Sequence, residues 1–294
     1  MNDILKKALE RTEREGNDNG LKHELPILPE NNPATSSTPA QEKEKKISIN
    51  KNFSNKKNFT GSNLSAKKTD PKSKTKKEAI NQKILADHKI IYDCRSHPGS
   101  DQVKILRTQM LQRLLASGGN SVLITSPRPG EGKTVNTINL AISIAQEIDR
   151  TVLLIDANLR KPAVHKCFGL DETEGLADYL LGKASISEIM INPGIDKLTI
   201  IPGGRPLTTS SEMLGATRMA DLVTEMKTRY GDRILVFDGP DMLTNADSQV
   251  FAKLVDGVVL VVEAEKTARQ DIKKAIELLG KTPLIGTIFN KSHE

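Results

Sequence analysis

The run Ser126-Pro127-Arg128-Pro129-Gly130-Glu131-Gly132-Lys133-Thr134-Val135 places two glycines, a lysine and a hydroxyl residue at the start of a helical pattern. Phosphate binding is the chemistry those residue types offer at that spacing. A loop from Pro129 through Gly130, Glu131, Gly132, Lys133, Thr134 and Val135 would aim backbone N–H groups inward, and the helix N-terminus favours negative charge. Lys133 can reach the β- and γ-phosphates of a nucleotide, and the Thr134 hydroxyl can ligate Mg²⁺. The first glycine of the usual G-x-x-x-x-G-K-[ST] pattern falls on Pro127. A bare glycine-rich turn would explain the triplet Gly-Lys-Thr equally well, but not the apolar strand before it and the helix after it.

Two apolar runs end in carboxylates. Leu153-Leu154-Ile155 leads into Asp156, and Leu235-Val236-Phe237 into Asp238. In a parallel sheet, ligands sit outside the C-terminal ends of the strands. Asp156 could there hold Mg²⁺-bound water or orient a nucleophile, or it could simply cap the next turn. Asp238 has the pattern of a second Mg²⁺-side carboxylate. Thr134, Asp156 and Asp238 together form the candidate metal set.

Positioning these residues requires a particular set of elements. Strands are expected at 121–126, 151–157, 198–202, 234–238, 257–264 and 284–290. Amphipathic helices are expected at 102–116, 133–147, 211–229, 248–254 and 268–279. Near-continuous Val, Ile and Leu in the strands implies burial on both faces, and the alternation with helices predicts an α/β, doubly wound, mostly parallel sheet of the P-loop NTPase type. This domain is expected to span 86–294. The 294 residues carry 43 Lys and Arg against 37 Asp and Glu, a formal charge of +6. Residues 1–85 hold a basic surplus of seven, whereas 86–294 carry one net acidic charge. Residues 17–85 are Lys-rich and poor in large apolar side chains, which predicts a disordered linker. Residues 1–16 form a short amphipathic pattern with Ile4, Leu5, Ala8 and Leu9 on one face, read either as a docking helix or as a frayed terminus. Cys94 and Cys167 lie far apart with no CxxC or His-rich setting, so neither a disulfide framework nor a zinc site is indicated. No signal peptide or bilayer-length apolar run is evident, and a cytoplasmic location is expected.

The order of GEGKT, IDANLRKP and FDGP resembles the bacterial tyrosine kinase family of exopolysaccharide and capsule synthesis, relatives of division-site-placing and partitioning ATPases. The resemblance covers about residues 99–291. It implies ATP and Mg²⁺ as cofactors and transfer of the γ-phosphoryl group to protein tyrosine. On this resemblance Lys133 and Thr134 are the Walker A lysine and metal ligand, Asp156 the first carboxylate of the second motif, and Asp238 the Walker B residue. Arg160 would stabilise a phosphate or an intersubunit contact, and Asn290 stands where related ATPases contact adenine; a strand-end turn residue is the other reading of Asn290. Arg128 occupies the place of the lysine that acts across a dimer in partitioning relatives. Asp101, Lys104 and Arg107, three residues apart, resemble the helix repeat through which family members self-associate; a solvated charged face is the other reading.

The implied partners are a membrane polysaccharide chain-length or export adaptor at the inner face of the cell membrane and a tyrosine-phosphatase counterpart. Nucleic acid is disfavoured, because the surplus charge lies in the tail and not in the domain. The sequence also departs from the family in two ways. Asn158 replaces the second acid of an Asp-x-Asp pattern, and the tyrosines are Tyr92, Tyr179 and Tyr230 with no C-terminal cluster. These departures keep open an ATP-dependent assembly switch with little kinase activity; the lysine-rich tail keeps open a DNA-partitioning ATPase, against which stands Arg128 in place of the signature lysine.

Overall fold

Strand residues alternate between two cores, and that alternation explains the layering. A computed structural model describes residues 76–79, 81–92 and 97–292. Eight strands form one sheet: β1 (Lys76–Lys77), β2 (Ser121–Thr125), β3 (Thr151–Asp156), β4 (Ile191–Asn192), β5 (Leu198–Ile201), β6 (Arg233–Asp238), β7 (Gly257–Glu263) and β8 (Leu284–Asn290). Their order is β1-β4-β5-β3-β6-β2-β7-β8, parallel throughout except between β4 and β5. Val122, Ile124, Val152, Leu154, Ile234 and Val236 enter the core on one face. Their neighbours Leu123, Leu153, Ile155, Leu235 and Phe237 enter the core on the other. A period of two with both phases apolar is the mark of a strand covered on both sides.

The first core is roofed by α1 (Gln82–Asp87), α2 (Ser100–Ala116) and α3 (Lys133–Ala145), through Leu85, Met110, Leu114, Ile138 and Ile142. The second is covered by α8 (Thr217–Arg229), α9 (Asp247–Ala252) and α10 (Arg269–Leu279), with Phe251 set edge-on to Phe237 at 4.9 Å. Short helices α4 (Val164–Cys167), α5 (Leu176–Leu180), α6 (Ile186–Ile189) and α7 (Ser210–Leu214) fill the connections.

All six expected strands are present, their ends within about one residue. The single helix expected over 211–229 is two, because Ala216 between them is extended (φ −71°, ψ 150°) and Gly215 packs its bare Cα against Val250. The apolar periodicity runs on across this break and hides it. The expected linker of 17–85 also ends earlier than its composition suggests. From Lys76 the chain is folded: β1 pairs with β4, Asn81 caps α1 through Lys83 and Ile84 N–H, and Leu85 is 2 % exposed in the first core. The β1–β4 pairing, the Asn81 cap and buried Leu85 dock a segment whose average composition reads as solvated. The rest of that stretch, the expected helix of 1–16 and Cys94 lie outside the described residues.

Leu85→Ala should therefore cost about 2–5 kcal/mol in denaturant unfolding, as for a core leucine, and not the few tenths expected of a linker residue.

Candidate functional site

From Ser126 to Gly132 the chain loops over the end of β2, and two glycines give it that course. Gly130 and Gly132 have φ of 84° and 91°, a region closed to most side chains. A Cβ at Gly132 would also lie 2.1 Å from the Asn290 amide. Glu131, 3 % exposed, braces the loop from within. Its carboxylate accepts the Arg128 N–H at 3.0 Å and the Thr267 hydroxyl at 2.5 Å. Two carbonyls are held outward: Asn290 Nδ2 donates to Glu131 O at 2.8 Å and Lys291 Nζ to Gly130 O at 2.9 Å. In a trans peptide the C=O and the next N–H point oppositely, so the Glu131 and Gly132 N–H groups are turned away from these clamps. Lys133 is 9 % exposed, and no hydrogen bond or ion pair among the described residues holds its ammonium.

Strand register assembles the rest. β2 and β6 align Ile124 with Asp238, and β3 and β6 align Asp156 with Asp238. The Thr134 hydroxyl donates to Asp238 Oδ2 at 2.7 Å, and Thr137 to Oδ1 at 3.3 Å. Asp156 accepts the Asn158, Ala163 and Val164 N–H groups at 3.1, 2.8 and 3.0 Å. Both carboxylates are fully buried. Burial, with the charge of Asp238 added, pushes Asp156 up to about 7 against those three N–H groups. Burial likewise pushes Asp238 up to about 6, opposed by Lys133, Thr134 and Thr137. Two acids that titrate near neutrality beside an unpaired lysine form a site poised for charge.

Other candidates go elsewhere. Arg160 pairs with the buried Asp247 (Nε–Oδ2 3.0 Å) and reaches Ser211 Oγ at 3.4 Å. Asp247 also accepts the Ser210 hydroxyl at 2.5 Å and the Ser211 hydroxyl. Although burial raises it, these hydroxyls and the guanidinium hold its carboxyl below the usual range. Arg128 makes a double contact with Asp271 of α10, Nε–Oδ2 2.9 Å and Nη2–Oδ1 3.1 Å. On α2, Asp101 and Lys104 pair with each other at 3.0 Å, but Arg107 turns inward to Glu147 (2.9 Å) and the Ser143 carbonyl (3.1 Å). The expected triplet thus splits into an exposed pair and a packing residue. Asn290 lies at the phosphate loop as an amide clamp. Thr267, Lys291 and Asp247 were not singled out as functional from sequence, because each meets its partner only across the fold.

A loop with inward-facing amides, a free lysine and a Thr–Asp pair at the C-terminal end of a parallel sheet defines a P-loop nucleotide-binding domain. A family model described as an AAA domain matches residues 120–285. The chain is 37 % identical over 193 residues to tyrosine-protein kinase YwqD of Bacillus subtilis, covering 65 % of this chain and 80 % of that one. It is 31 % identical to tyrosine-protein kinase CpsD of Streptococcus agalactiae, over 60 % and 77 % of the two chains. Among solved structures it is similar to the kinase domain of the Escherichia coli tyrosine kinase ETK, with TM-score 0.63 and 26 % identity over 69 % and 81 %. The chain belongs to the bacterial tyrosine kinase family.

The raised carboxylates set a sign for stability. Their folded-state values lie above the ordinary value near 3.8, so protonated Asp156 and Asp238 favour the fold and their ionisation opposes it. The nucleotide-free protein should lose stability as pH rises from about 4 to about 7, and Asp156→Asn or Asp238→Asn should flatten that slope in melting curves.

Proposed function

We propose that this chain binds ATP with Mg²⁺ and transfers the γ-phosphoryl group to protein tyrosine, in the production or export of an extracellular polysaccharide. The carrying observation is the Thr134–Asp238 contact at 2.7 Å beside the unpaired Lys133. Thr134, Asp156 and Asp238 offer only hard oxygen donors, and so few of them that the ion would keep several waters, which fits Mg²⁺. Such an ion, held by Thr134, Asp156 and Asp238, would supply neutralisation of the phosphate charge.

The chain's own residues do the rest. Lys133 and the N–H groups of Glu131 and Gly132 stabilise charge on the phosphoryl oxygens. Asp156, pushed up to about 7, is able to hold a proton near neutral pH. Glu131, Thr267 and Asn290 keep the loop in place. Arg160, two residues past Asn158 and with its side chain 37 % exposed, is anchored on Asp247. Relatives named tyrosine-protein kinases support the reaction.

No helix among the described residues is long and apolar enough to cross a membrane. A cytoplasmic protein recruited to the inner membrane face by a polysaccharide-export adaptor, self-associating through α2 and reset by a tyrosine phosphatase, completes the proposal. Asn158 favours a second reading, an ATP-dependent assembly switch with little transfer, because an amide accepts no proton where an acid would.

Incubation with Mg²⁺-ATP and a synthetic glutamate–tyrosine copolymer tests the two readings. Phosphotyrosine should form and disappear in Lys133→Met. Asn158→Asp should raise the rate, about tenfold or more if a proton acceptor is what the wild type lacks. ATP hydrolysis with no phosphotyrosine in either protein leaves only the switch.

A further inference from the structure

We infer that Tyr230 is a phosphate acceptor for this enzyme and that it is modified by a second copy of the chain. The inference rests on the kinase reading above. The sequence holds three tyrosines. Tyr92 packs against the first core and Tyr179 against the second, both partly buried. Tyr230 is 42 % exposed. It stands in extended conformation (φ −139°, ψ 118°) just past the end of α8, followed by the exposed Gly231 and Asp232. Extended backbone is the form in which peptides are taken up along a sheet edge, and the flanking glycine adds conformational freedom.

The surroundings suit the product. A phosphotyrosine carries a charge of about −1.5 to −2, and two guanidinium groups already lie at the Tyr230 ring, Arg233 at 4.1 Å and Arg229 at 5.7 Å. The Arg233 Nε is buried without a hydrogen-bond partner. Arg229 is held only by an exposed pair with Glu225, a contact of little net strength. A cavity of about 140 Å³ adjoins them, lined in part by Glu225, Arg229, Tyr230 and Arg233.

Geometry decides between molecules. Asp238 ends β6 and Arg233 begins it, so the active site and the Tyr230 turn are at opposite ends of one strand, roughly 17 Å apart at about 3.3 Å per residue. In-line attack needs the reacting atoms within about 3.5 Å. Tyr230 Oη therefore attacks the γ-phosphorus of ATP held by another chain. The Oη–P bond forms, the bond from phosphorus to the β,γ-bridging oxygen breaks, ADP leaves, and the phenolic proton passes to water.

The test mixes wild-type full chain and Mg²⁺-ATP with a tagged Lys133→Met copy as inert acceptor, and with the same copy carrying Tyr230→Phe, while the glutamate–tyrosine copolymer is assayed in parallel. Mass spectrometry should place phosphate on Tyr230 of the inert copy, with the signal lost in Tyr230→Phe and copolymer phosphorylation by a Tyr230→Phe enzyme retained. Copolymer phosphorylation with phosphate on Tyr92 or Tyr179 instead, or with none on the inert copy, overturns the inference and leaves the kinase reading standing. Failure to phosphorylate either acceptor overturns both.

Discussion

Two neighbouring parallel strands end in register on two buried acids, and most of the architecture around the site answers to that fact. β3 and β6 pair residue for residue from Thr151 with Arg233 to Asp156 with Asp238, so the carboxylates emerge at one level, both fully buried. Burying a charge is costly unless hydrogen bonds replace its hydration. The chain after β3 therefore curls back and aims the N–H groups of Asn158, Ala163 and Val164 at Asp156. The helix after the phosphate loop supplies the hydroxyls of Thr134 and Thr137 to Asp238. Gly203 must be bare because a Cβ there would crowd Pro162 and approach the Asp156 carboxylate. These compensations are partial, as the raised proton affinity of both acids shows.

What could be read from the sequence follows from how local each feature is. The phosphate loop was legible because its glycines, lysine and threonine lie within five residues and are flanked by their own strand and helix. The strands were legible because Val, Ile and Leu on both phases admit few other structures. The order of the strands was not, nor the clamps on the loop. Thr267, Asn290 and Lys291 meet it across 136 to 161 residues, and no local pattern announces such a contact. Arg160 shows the same limit from the other side. The resemblance assigns it a phosphate or an intersubunit contact, and the partner the structure adds is Asp247, 87 residues on. The α1 segment was missed because composition averages over a window, whereas docking rests on the β1–β4 pairing, the Asn81 cap and buried Leu85.

The clamps also explain why the two outermost C-terminal strands belong to the functional unit. β7 and β8 contribute nothing that would touch a phosphate in line, but Thr267 follows β7 and Asn290 ends β8. Between them they fix both the side chain and the carbonyl of Glu131. Arg128 adds a tie from the loop's start to α10 through Asp271, whose carboxyl that guanidinium holds below its usual range. The loop is thereby fastened to the half of the sheet that does not carry the acids. Its amides stay preorganised for a polyphosphate while Asp156 and the Asn158 turn are held by the other half.

The charge balance of the site then argues that it is incomplete alone. Lys133 contributes one positive charge and the two acids, when ionised, two negative. The sum has the wrong sign for a polyphosphate ligand, and the raised proton affinity of both acids lessens it. A divalent cation arriving with the nucleotide would reverse the sign and remove the penalty of ionising both acids at once. Ionised, the two acids oppose folding, and a cation held by them would relieve that opposition. That is the behaviour expected when the one conflict in an otherwise self-consistent structure coincides with its chemistry.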